Sequence, residues 1–458
     1  MTERFELVEK ALIKMLEEKK FATLRDILVT INPADIAAMF DSLEDDRIPI
    51  LFRLLPKELA AETFVEMEPE QQEVLIRSFS DNELKEIVDE LFVDDAADLV
   101  EEMPANVVKR ILAQASPEMR KSINQILRYP DNSAGSIMTT EYVSLRPEMT
   151  VEESILRIRR QGVDKETIYT CYVTKDRALV GMVTVKDLLL AADDETPIKD
   201  LMFTNIISVT THTDQEEVAR MFSKYDFLAM PVVDNENRMV GIVTVDDAMD
   251  VMEEETTEDI ELMGGMLPSE NTYLRSSVWE LFKKRIPWLL FLMLSATFTG
   301  IIITGFESAL AAQVALTAFI PMLMGTGGNS GSQSSVTIIR ALSLDEVEFS
   351  DMLRVVWKEI RTAVLCGLVL GVVCFAKIWL VDKLLLGNEN ITLMVDAVVC
   401  LAMFVTVLVA KTIGAVLPMV AKALKLDPAV MASPLITSVV DALSLLVYFL
   451  FATMLLNI

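Results

Sequence analysis

Histidine and cysteine are scarce in this sequence. Among 458 residues there is one histidine, His212, and there are four cysteines. A single histidine excludes most catalytic triads, histidine-ligated metal centres and histidine proton shuttles. The cysteines, Cys171, Cys366, Cys374 and Cys400, lack CxxC spacing, which favours reduced structural thiols over a metal cluster or a disulfide framework. Because no pair of nucleophile and base stands out either, we expect no enzymatic activity.

Positive charge is also scarce, and its distribution divides the chain. The sequence has 41 Lys and Arg against 69 Asp and Glu. Residues 281–458 contain 12 of the basic and 11 of the acidic residues, which leaves 29 basic and 58 acidic residues in 1–280 and a net charge of −29 there. An anionic body of this size repels itself unless cations gather on it. The pattern indicates a protein that handles cations, and we expect no nucleic-acid partner.

The near-neutral C-terminal part consists mostly of apolar runs. Five runs are long enough to cross a hydrocarbon core of about 30 Å, although the second is interrupted. They are residues 286–307, 310–340, 361–385, 392–419 and 430–456. The N-terminus has no apolar targeting core, so we expect no cleaved signal. Basic residues gather before the first run and after the second, which places the acidic part in the cytoplasm and the C-terminus outside.

The acidic part contains helical segments and an internal duplication. Residues 1–128 have apolar residues at helical spacing and predict a small superhelix of short helices. Further on, VGMVTVKDLL (180–189) matches VGIVTVDDAM (240–249). Each copy follows the order strand, helix, two strands, helix, as expected of paired α/β modules. This pattern resembles a tandem pair of cystathionine-β-synthase (CBS) modules.

A charged connector joins these modules to the apolar part. Its sequence predicts a helix that breaks at Gly264-Gly265. The predicted domains are an acidic helical N-domain (1–128), CBS module 1 (129–200), CBS module 2 (201–253), the connector (254–285) and an all-α membrane domain of five transmembrane helices (286–458).

One carboxylate lies in the middle of the last apolar run. Asp441 is close to mid-membrane, where an acid costs about 2.5–3.5 kcal/mol on insertion scales. It should therefore face a polar cavity or a partner, and intramembrane acids usually mark a pathway. The alternative is a structural pair with Lys411 in the fourth run.

The second run is rich in helix breakers. PMLMGTGGNSGSQSS (321–335) includes Gly325, Gly328 and Asn329. Irregular backbone at membrane depth must be buried in protein or line a wet cavity, and its carbonyl and amide oxygens are ligands that Mg²⁺ prefers. The alternative is close helix packing through small residues. A phosphate-binding loop is excluded, because the segment lacks a GK[ST] ending.

Acidic residues crowd the helical domain and the region around the connector. Asp94 and Asp98 lie one turn apart on a predicted helix. Any single acid is most simply a solvated surface residue, but together they repel, and bridging divalent cations would remove that repulsion. Further candidates are Asp214, Glu216, Asp226, Asp247, Asp250, Glu255, Glu258 and Asp259.

A weaker pattern indicates a nucleotide site. Gly181-x-x-Thr184-x-x-Asp187 and Gly241-x-x-Thr244-x-x-Asp247 fit the spacing with which many CBS modules hold an adenosine ribose. Thr and Asp capping of the following helix explains the same residues without a ligand.

The whole chain resembles the bacterial MgtE family of Mg²⁺ channels and transporters. The resemblance covers the domain order and local motifs, among them YPDNSAGSIMTTEYV (129–143), PMLMGTGGNSGSQ (321–333) and DPAVMASPLITSVVDALSLLVYF (427–449). It implies a homodimer in a lipid bilayer, the bacterial inner membrane, with one pore on the two-fold axis. Asp441 would face hydrated Mg²⁺ there, helped by the backbone at Thr437, with Asn329 and the glycines lining the same route.

The resemblance also implies regulatory sites for cytosolic Mg²⁺ that hold the pore shut. The matching positions are Glu62, Asp94, Asp98, Glu216, Asp226, Asp247, Asp250, Glu255, Glu258, Glu359 and Asp427. We therefore expect a Mg²⁺-selective, Mg²⁺-gated channel, with Mg²⁺ as both cargo and regulator and with ATP or another adenine nucleotide as a possible ligand. Two alternatives stay open. The first is transport of Co²⁺ or Mn²⁺ on the same scaffold, and the second is a membrane-anchored adenine-nucleotide sensor that conducts no ions.

Overall fold

The computed structural model describes residues 11–269, 273, 276–385, 387, 391–431 and 433–456. The chain divides into two compact units, residues 1–252 and 253–458. Of the predicted segments, residues 1–10 of the N-domain and parts of the connector at 270–272 and 274–275 lie outside the described residues.

The first unit begins with a series of short helices. Residues 11–17 are helical. Side-chain caps start several of the following helices, since Asn32 accepts the amide of Ala34 and Ser80 forms a capping box with Glu83. One apolar core unites the series, which confirms the predicted amphipathic pattern. The helices are α1 (Phe21–Leu28), α2 (Pro33–Phe40), α3 (Ile48–Phe52), α4 (Lys57–Val65), α5 (Pro69–Ser78), α6 (Asp81–Val88), α7 (Val93–Glu102), α8 (Ala105–Gln114) and α9 (Pro117–Ile126).

The duplicated segment forms two similar α/β modules, as predicted. Each has a three-stranded sheet in which the first two strands are parallel and the last two antiparallel. Module 1 contains β1 (Ser144–Leu145), α10 (Val151–Gln161), β2 (Thr170–Lys175), β3 (Ala178–Thr184), α11 (Val185–Leu189) and α12 (Ile198–Leu201). Module 2 contains β4 (Val209–Thr210), α13 (Gln215–Tyr225), β5 (Ala229–Val233), β6 (Met239–Thr244) and α14 (Val245–Met263).

The glycines of the G-x-x-T-x-x-D pattern have a packing role. Thr139 pairs with Ile242 of β6 through two backbone hydrogen bonds of 2.8 and 2.9 Å. A Cβ on Gly241 would lie 2.5 Å from the Thr139 carbonyl oxygen. In module 1, a Cβ on Gly181 would overlap the side chain of Met202. At Gly241 the neighbour is backbone and cannot give way, so this position requires glycine.

Helix α14 continues through the predicted boundary between module 2 and the connector. It ends at Met263, and Gly265 follows with φ +70°, so the predicted break at Gly264-Gly265 is confirmed. A Cβ on Gly265 would also overlap the Trp288 ring, so the residue needs both its backbone freedom and its small size.

The second unit is helical. It contains α15 (Val278–Gly305), α16 (Glu307–Ala312), α17 (Ile320–Ser343), α18 (Met352–Lys377), α19 (Leu393–Ala423) and α20 (Ser433–Leu456). By length and composition, four segments of the described residues could cross a membrane: Val278–Gly305, Phe349–Leu385, Leu393–Ala423 and Pro428–Leu456. Helix α17 is long enough but more polar, so the fifth span stays a prediction.

Helix α17 corrects the predicted glycine break. It runs without interruption through the whole segment from Gly325 to Gln333. The irregular part precedes it, at Gln313 and the 3₁₀ segment Val314–Phe319. The physical reason is packing, because three of the glycines lie against neighbouring helices, as described next.

Candidate functional site

Small residues bring α17 into close contact with α20. A Cβ on Gly327 would lie 2.7 Å from Ser444 Oγ, and one on Gly328 would lie 2.9 Å from Thr437 Cγ2. Close helix packing therefore explains these glycines, and carbonyls within a regular helix are engaged in its own hydrogen bonds. The expectation that this segment offers free backbone oxygens is wrong. Gly325 differs, since a Cβ there would have no neighbour within 4 Å.

An uncovered polar ridge follows α17 at four-residue spacing. Gly325, Asn329, Gln333 and Thr337 are all exposed, although they belong to a helix packed among apolar neighbours. Residues four apart on a helix share a face. Amide and hydroxyl groups are rarely turned toward lipid at membrane depth and usually face protein or a water-filled cavity. The ridge thus indicates a surface completed by water or by further protein.

Asp441 lies on α20 near the middle of the span Pro428–Leu456. Thr437 is one turn earlier on the same face. The Asp441 side chain is partly buried, and its Oδ1 has no hydrogen-bond partner among the described residues. A buried oxygen without a donor is costly unless water or a cation reaches it.

The alternative pair of Asp441 with Lys411 is wrong. Lys411 is 5% exposed, and its Nζ donates a hydrogen bond of 3.3 Å to Ser334 Oγ. Ser334 in turn donates to Glu359 Oε2 at 2.6 Å, so α17, α18 and α19 meet at this serine. Glu359, one of the predicted regulatory residues, is therefore linked to Lys411 by the Ser334 hydroxyl. Nothing in the sequence singled out Ser334 beyond its position in the small-residue segment.

A first acidic cluster forms in the first unit. We define it as five acids: Asp94 and Asp95 of α7, Asp247 of α14, and also Glu141 and Glu166 of module 1. Asp94 is 6% exposed, and its Oδ1 has no partner in the described part of the chain. Glu141 accepts the amide of Val93, the first residue of α7, at 3.2 Å. Asp98 lies one turn after Asp94, and Asp250 adds its charge beside Asp247.

Burial and mutual repulsion raise the pKa values in this cluster. Burial, together with the charge of Asp247, raises the pKa of Asp95 to about 7. Burial and then Asp95 raise the pKa of Glu166 to about 8. Burial raises the pKa of Asp94 and of Asp247 as well, and hydrogen bonds from Thr244 partly oppose this at Asp247. A nearby cation would reverse the effect, since it favours the charged carboxylates.

A second acidic cluster forms in the second unit and contains Glu255, Glu258, Asp259 and Asp427. Burial, then Glu255 and Asp427, raise the pKa of Glu258. Burial, then Asp427, raise the pKa of Asp259, whose Oδ2 accepts a hydrogen bond from Ser343 at 3.4 Å. Throughout the described ranges, no three or more Asp, Glu, His or Cys side chains converge as a metal centre.

The other predicted regulatory residues lie outside both clusters as defined here. Glu62 is exposed on α4. Asp214 caps the start of α13 by accepting the Glu216 amide at 2.9 Å, and Glu216 contacts Arg220 at 3.7 Å. Asp226 ends the same helix with φ +54°. Sequence reasoning in turn missed Glu141 and Glu166, which the fold brings to Asp94 from distant positions.

The two nucleotide patterns form helix caps, as the alternative interpretation predicted. Thr184 Oγ1 accepts the Asp187 amide at 3.2 Å, and Asp187 Oδ2 accepts the Thr184 amide at 3.1 Å. Thr244 makes the corresponding bond of 3.3 Å to Asp247. Asp247 also belongs to the first acidic cluster, whose negative charge would repel a phosphate group.

Family models match three parts of the chain, which are the N-terminal helical domain, the paired modules and most of the second unit. The model described as "Divalent cation transporter" (MgtE) matches residues 320–451, and the model of the MgtE intracellular N domain matches residues 31–132. The CBS domain model matches residues 134–194 and 198–254.

Two relatives that match nearly the whole of this chain are both magnesium transporters named MgtE. The magnesium transporter MgtE of Thermus thermophilus is 38% identical over 453 residues, which is 98% of each chain. That of Bacillus subtilis is 33% identical over 449 residues, covering 98% of this chain and 97% of the relative. The solved cytosolic domain of the Mg²⁺ channel MgtE in complex with ATP is 39% identical, with a TM-score of 0.51 over 53% of this chain and 99% of that one. The soluble part of a magnesium transporter is 31% identical, with a TM-score of 0.51 over 55% and 99%.

Proposed function

Because this chain belongs to the MgtE family of divalent cation transporters, we propose that it is a Mg²⁺-selective channel. The pore would pass Asp441, and cytosolic Mg²⁺ would close it. The family consists of transporters, so the chain is a transporter and not an enzyme. The N-terminal domains would lie in the cytoplasm and the C-terminus outside the inner membrane.

The uncovered polar ridge of α17 carries this proposal. A ridge of Gly325, Asn329, Gln333 and Thr337 belongs beside water or protein. A second copy of the chain, related by a two-fold axis, would place two such ridges and two Asp441 carboxylates around one path. This arrangement supports a homodimer.

The chemistry of Mg²⁺ agrees with one acid per subunit. The ion gives up its water reluctantly, so a carboxylate facing hydrated Mg²⁺ is more plausible than a tight ring of ligands. A divalent ion entering through 100 mV gains about 4.6 kcal/mol, which is twice the value for one charge, so no chemical fuel is needed.

The two acidic clusters support closure by Mg²⁺. Without cations, burial and then neighbouring carboxylates raise the pKa values of Asp94 and of Glu258, so keeping these acids ionised in the folded state costs stability. Mg²⁺ would bridge the carboxylates and remove that cost, which favours the compact, closed state.

Uptake measurements test the pore. In cells lacking other Mg²⁺ importers, Asp441→Asn keeps the size of the side chain and should abolish Mg²⁺ uptake. Asp396→Asn is the control, because Asp396 is a buried carboxylate of α19 that is 1% exposed and has no place in the proposed path. If Asp441→Asn, at normal membrane levels, takes up Mg²⁺ like the parent, the pore assignment is wrong. Competition by Co²⁺ and Mn²⁺ in the same assay decides between Mg²⁺ and another divalent cation.

Nucleotide binding at Thr184 and Asp187 is a second proposed property. The related cytosolic domain solved with ATP favours it, because 99% of that domain is covered by this chain. Asp187→Ala should then weaken ATP binding, whereas Asp247→Ala should not, since Asp247 lies in the acidic cluster. A pure nucleotide sensor would bind ATP in the same way but show no flux in liposomes.

A further inference from the structure

A basic cavity lies where the hairpin turns of the two modules meet. Residues Asp176 and Arg177 join β2 to β3, and residues 234–238 join β5 to β6. The turns pair with each other, since the Met239 amide donates to the Arg177 carbonyl at 2.9 Å. The cavity beside them has a volume of about 1000 Å³ and is bordered on another side by Gln125 of α9.

The charge of this cavity is opposite to that of its surroundings. Residues 1–280 carry a net charge of −29. The cavity, in contrast, is lined by five cationic side chains, of which Arg238 is ion-paired with Glu236: Arg146, Arg157, Lys175, Arg177 and Arg238. Of its three acids, Asp234 already accepts the backbone amides of Glu236 and Arg238, each at 2.8 Å. A neighbouring cavity of about 430 Å³ shares Arg157 and adds Arg160 and Lys165.

Arg177 is held in a conformation that glycine would adopt more easily. Its φ is +71°, and that of Asp176 is +51°. Two-residue hairpin turns with positive φ at both positions favour Asn-Gly or Asp-Gly, because a side chain in the left-handed region is strained. The guanidinium of Arg177 also lies near Tyr142, since its charge partly opposes the rise that burial causes in the pKa of that phenol.

Arg157 adds an unused hydrogen-bond donor. Its Nε is buried and has no acceptor among the residues that the structure describes. A buried donor without an acceptor is costly, and an anion in either cavity would supply one. Ser144 and Thr174, whose hydroxyls lie 2.8 Å apart on the same wall, offer further polar contacts.

We propose that this cavity binds a small molecule that carries linked phosphate groups. Guanidinium groups pair with phosphate through two parallel hydrogen bonds, and the volume is at the upper end of small-molecule sites, which reach about 1,000 Å³. The site differs from the Thr184 pattern. Strand β3 begins after Arg177 and ends at Thr184, and at 3.3 Å per residue its two ends are about 20 Å apart.

Calorimetric titration of the full-length protein in detergent with inorganic pyrophosphate, in EDTA and low salt, tests the site. Arg177→Gly removes the charge and relieves the strained backbone, so it should fold at least as stably as the parent and bind pyrophosphate about tenfold or more weakly. Asp176→Gly makes the same backbone change one residue earlier but removes an acid, so it should bind more tightly. A purely conformational effect would move both affinities in the same direction.

Three results would overturn the proposal. One is a parent protein that shows no binding at millimolar pyrophosphate. Another is an Arg177→Gly protein that binds like the parent. The third is a Thr184→Ala/Asp187→Asn protein that loses pyrophosphate binding, because the anion would then occupy the helix-cap pattern. Arg157→Gln, which removes the donor of the adjoining wall, should weaken binding in parallel with Arg177→Gly.

Discussion

Gly414 of α19 lies directly against the backbone carbonyl of Gly331 of α17. A Cβ at position 414 would overlap that oxygen, and Gly414 is buried. The contact fixes the distance between α17, which carries the polar ridge, and α19, which carries Lys411. Two glycines on facing helices allow such a close approach, because neither has a Cβ between the two backbones.

Gly414→Ala should therefore destabilise the membrane unit. Overpacking at a tight contact costs about 1–3 kcal/mol, and the helices can relieve it only by moving apart. The melting temperature of the purified protein in detergent should fall accordingly. Gly300→Ala is the matched control, because a Cβ at Gly300 of α15 would have no neighbour within 4 Å. Equal melting temperatures for both variants would contradict the packing described here.

Ser334→Ala should destabilise the protein more than Ser335→Ala. Both serines are buried. Ser334 joins Lys411 to Glu359 through bonds of 3.3 and 2.6 Å, whereas Ser335 makes one bond of 3.3 Å to the Met431 carbonyl. Loss of Ser334 would leave a buried ammonium without this acceptor, at a cost of about 1–3 kcal/mol or more. Chemical denaturation of the two variants measures the difference, and a larger effect at Ser335 would refute this role of Ser334.

The sequence predicts the modules well because their signals are local. Strand, helix and turn residues repeat at a fixed spacing. The capping of α11 and α14 can be predicted from four consecutive residues, because Thr184 and Thr244 are each followed three positions later by the aspartate that they contact. Asp441 is equally conspicuous, since an acid within an apolar run is rare. Each of these predictions depends on residues that are close in the chain.

The predictions that fail depend on contacts between distant residues. Gly325, Gly328 and Gly331 resemble helix breakers in isolation, but in the bundle most of them are the surface on which neighbouring helices pack. Lys411 finds Ser334 77 residues away, so its separation from Asp441 could not be foreseen. Glu166 likewise joins Asp95 only because the paired modules fold against α7.

The first acidic cluster should make the stability of the cytoplasmic part depend on pH. Burial, with nearby carboxylates, raises the pKa of Asp95 to about 7 and of Glu166 to about 8, so both bind a proton more tightly when folded than when unfolded. The free energy of unfolding should therefore decrease as the pH rises from about 4, the ordinary carboxyl range, through about 8. Scanning calorimetry in EDTA at pH 6 and at pH 9 should show the lower melting temperature at pH 9.

Asp95→Asn/Glu166→Gln supplies the control for that measurement. With both side chains neutral, the melting temperature should change much less between the two pH values. Addition of Mg²⁺ at pH 9 should raise the melting temperature of the parent, because the ion binds the folded, ionised cluster. A parent that is more stable at pH 9 than at pH 6 would show that repulsion in this cluster does not govern its stability.

Limited proteolysis connects the same cluster to regulation. Cleavage of the parent should slow as Mg²⁺ rises through millimolar concentrations, because bridged carboxylates hold the helical domain against α14. Asp94→Asn/Asp247→Asn neutralises the buried Asp94, whose pKa burial and then the charge of Asp247 raise, together with Asp247 itself, so this variant should be cleaved slowly without Mg²⁺ and respond little when the ion is added. Asp35→Asn, which changes an exposed acid in the first turn of α2, should behave like the parent. If the double variant kept the full response to Mg²⁺, the ion would act elsewhere, and the cluster of Glu255, Glu258, Asp259 and Asp427 would be the next place to test.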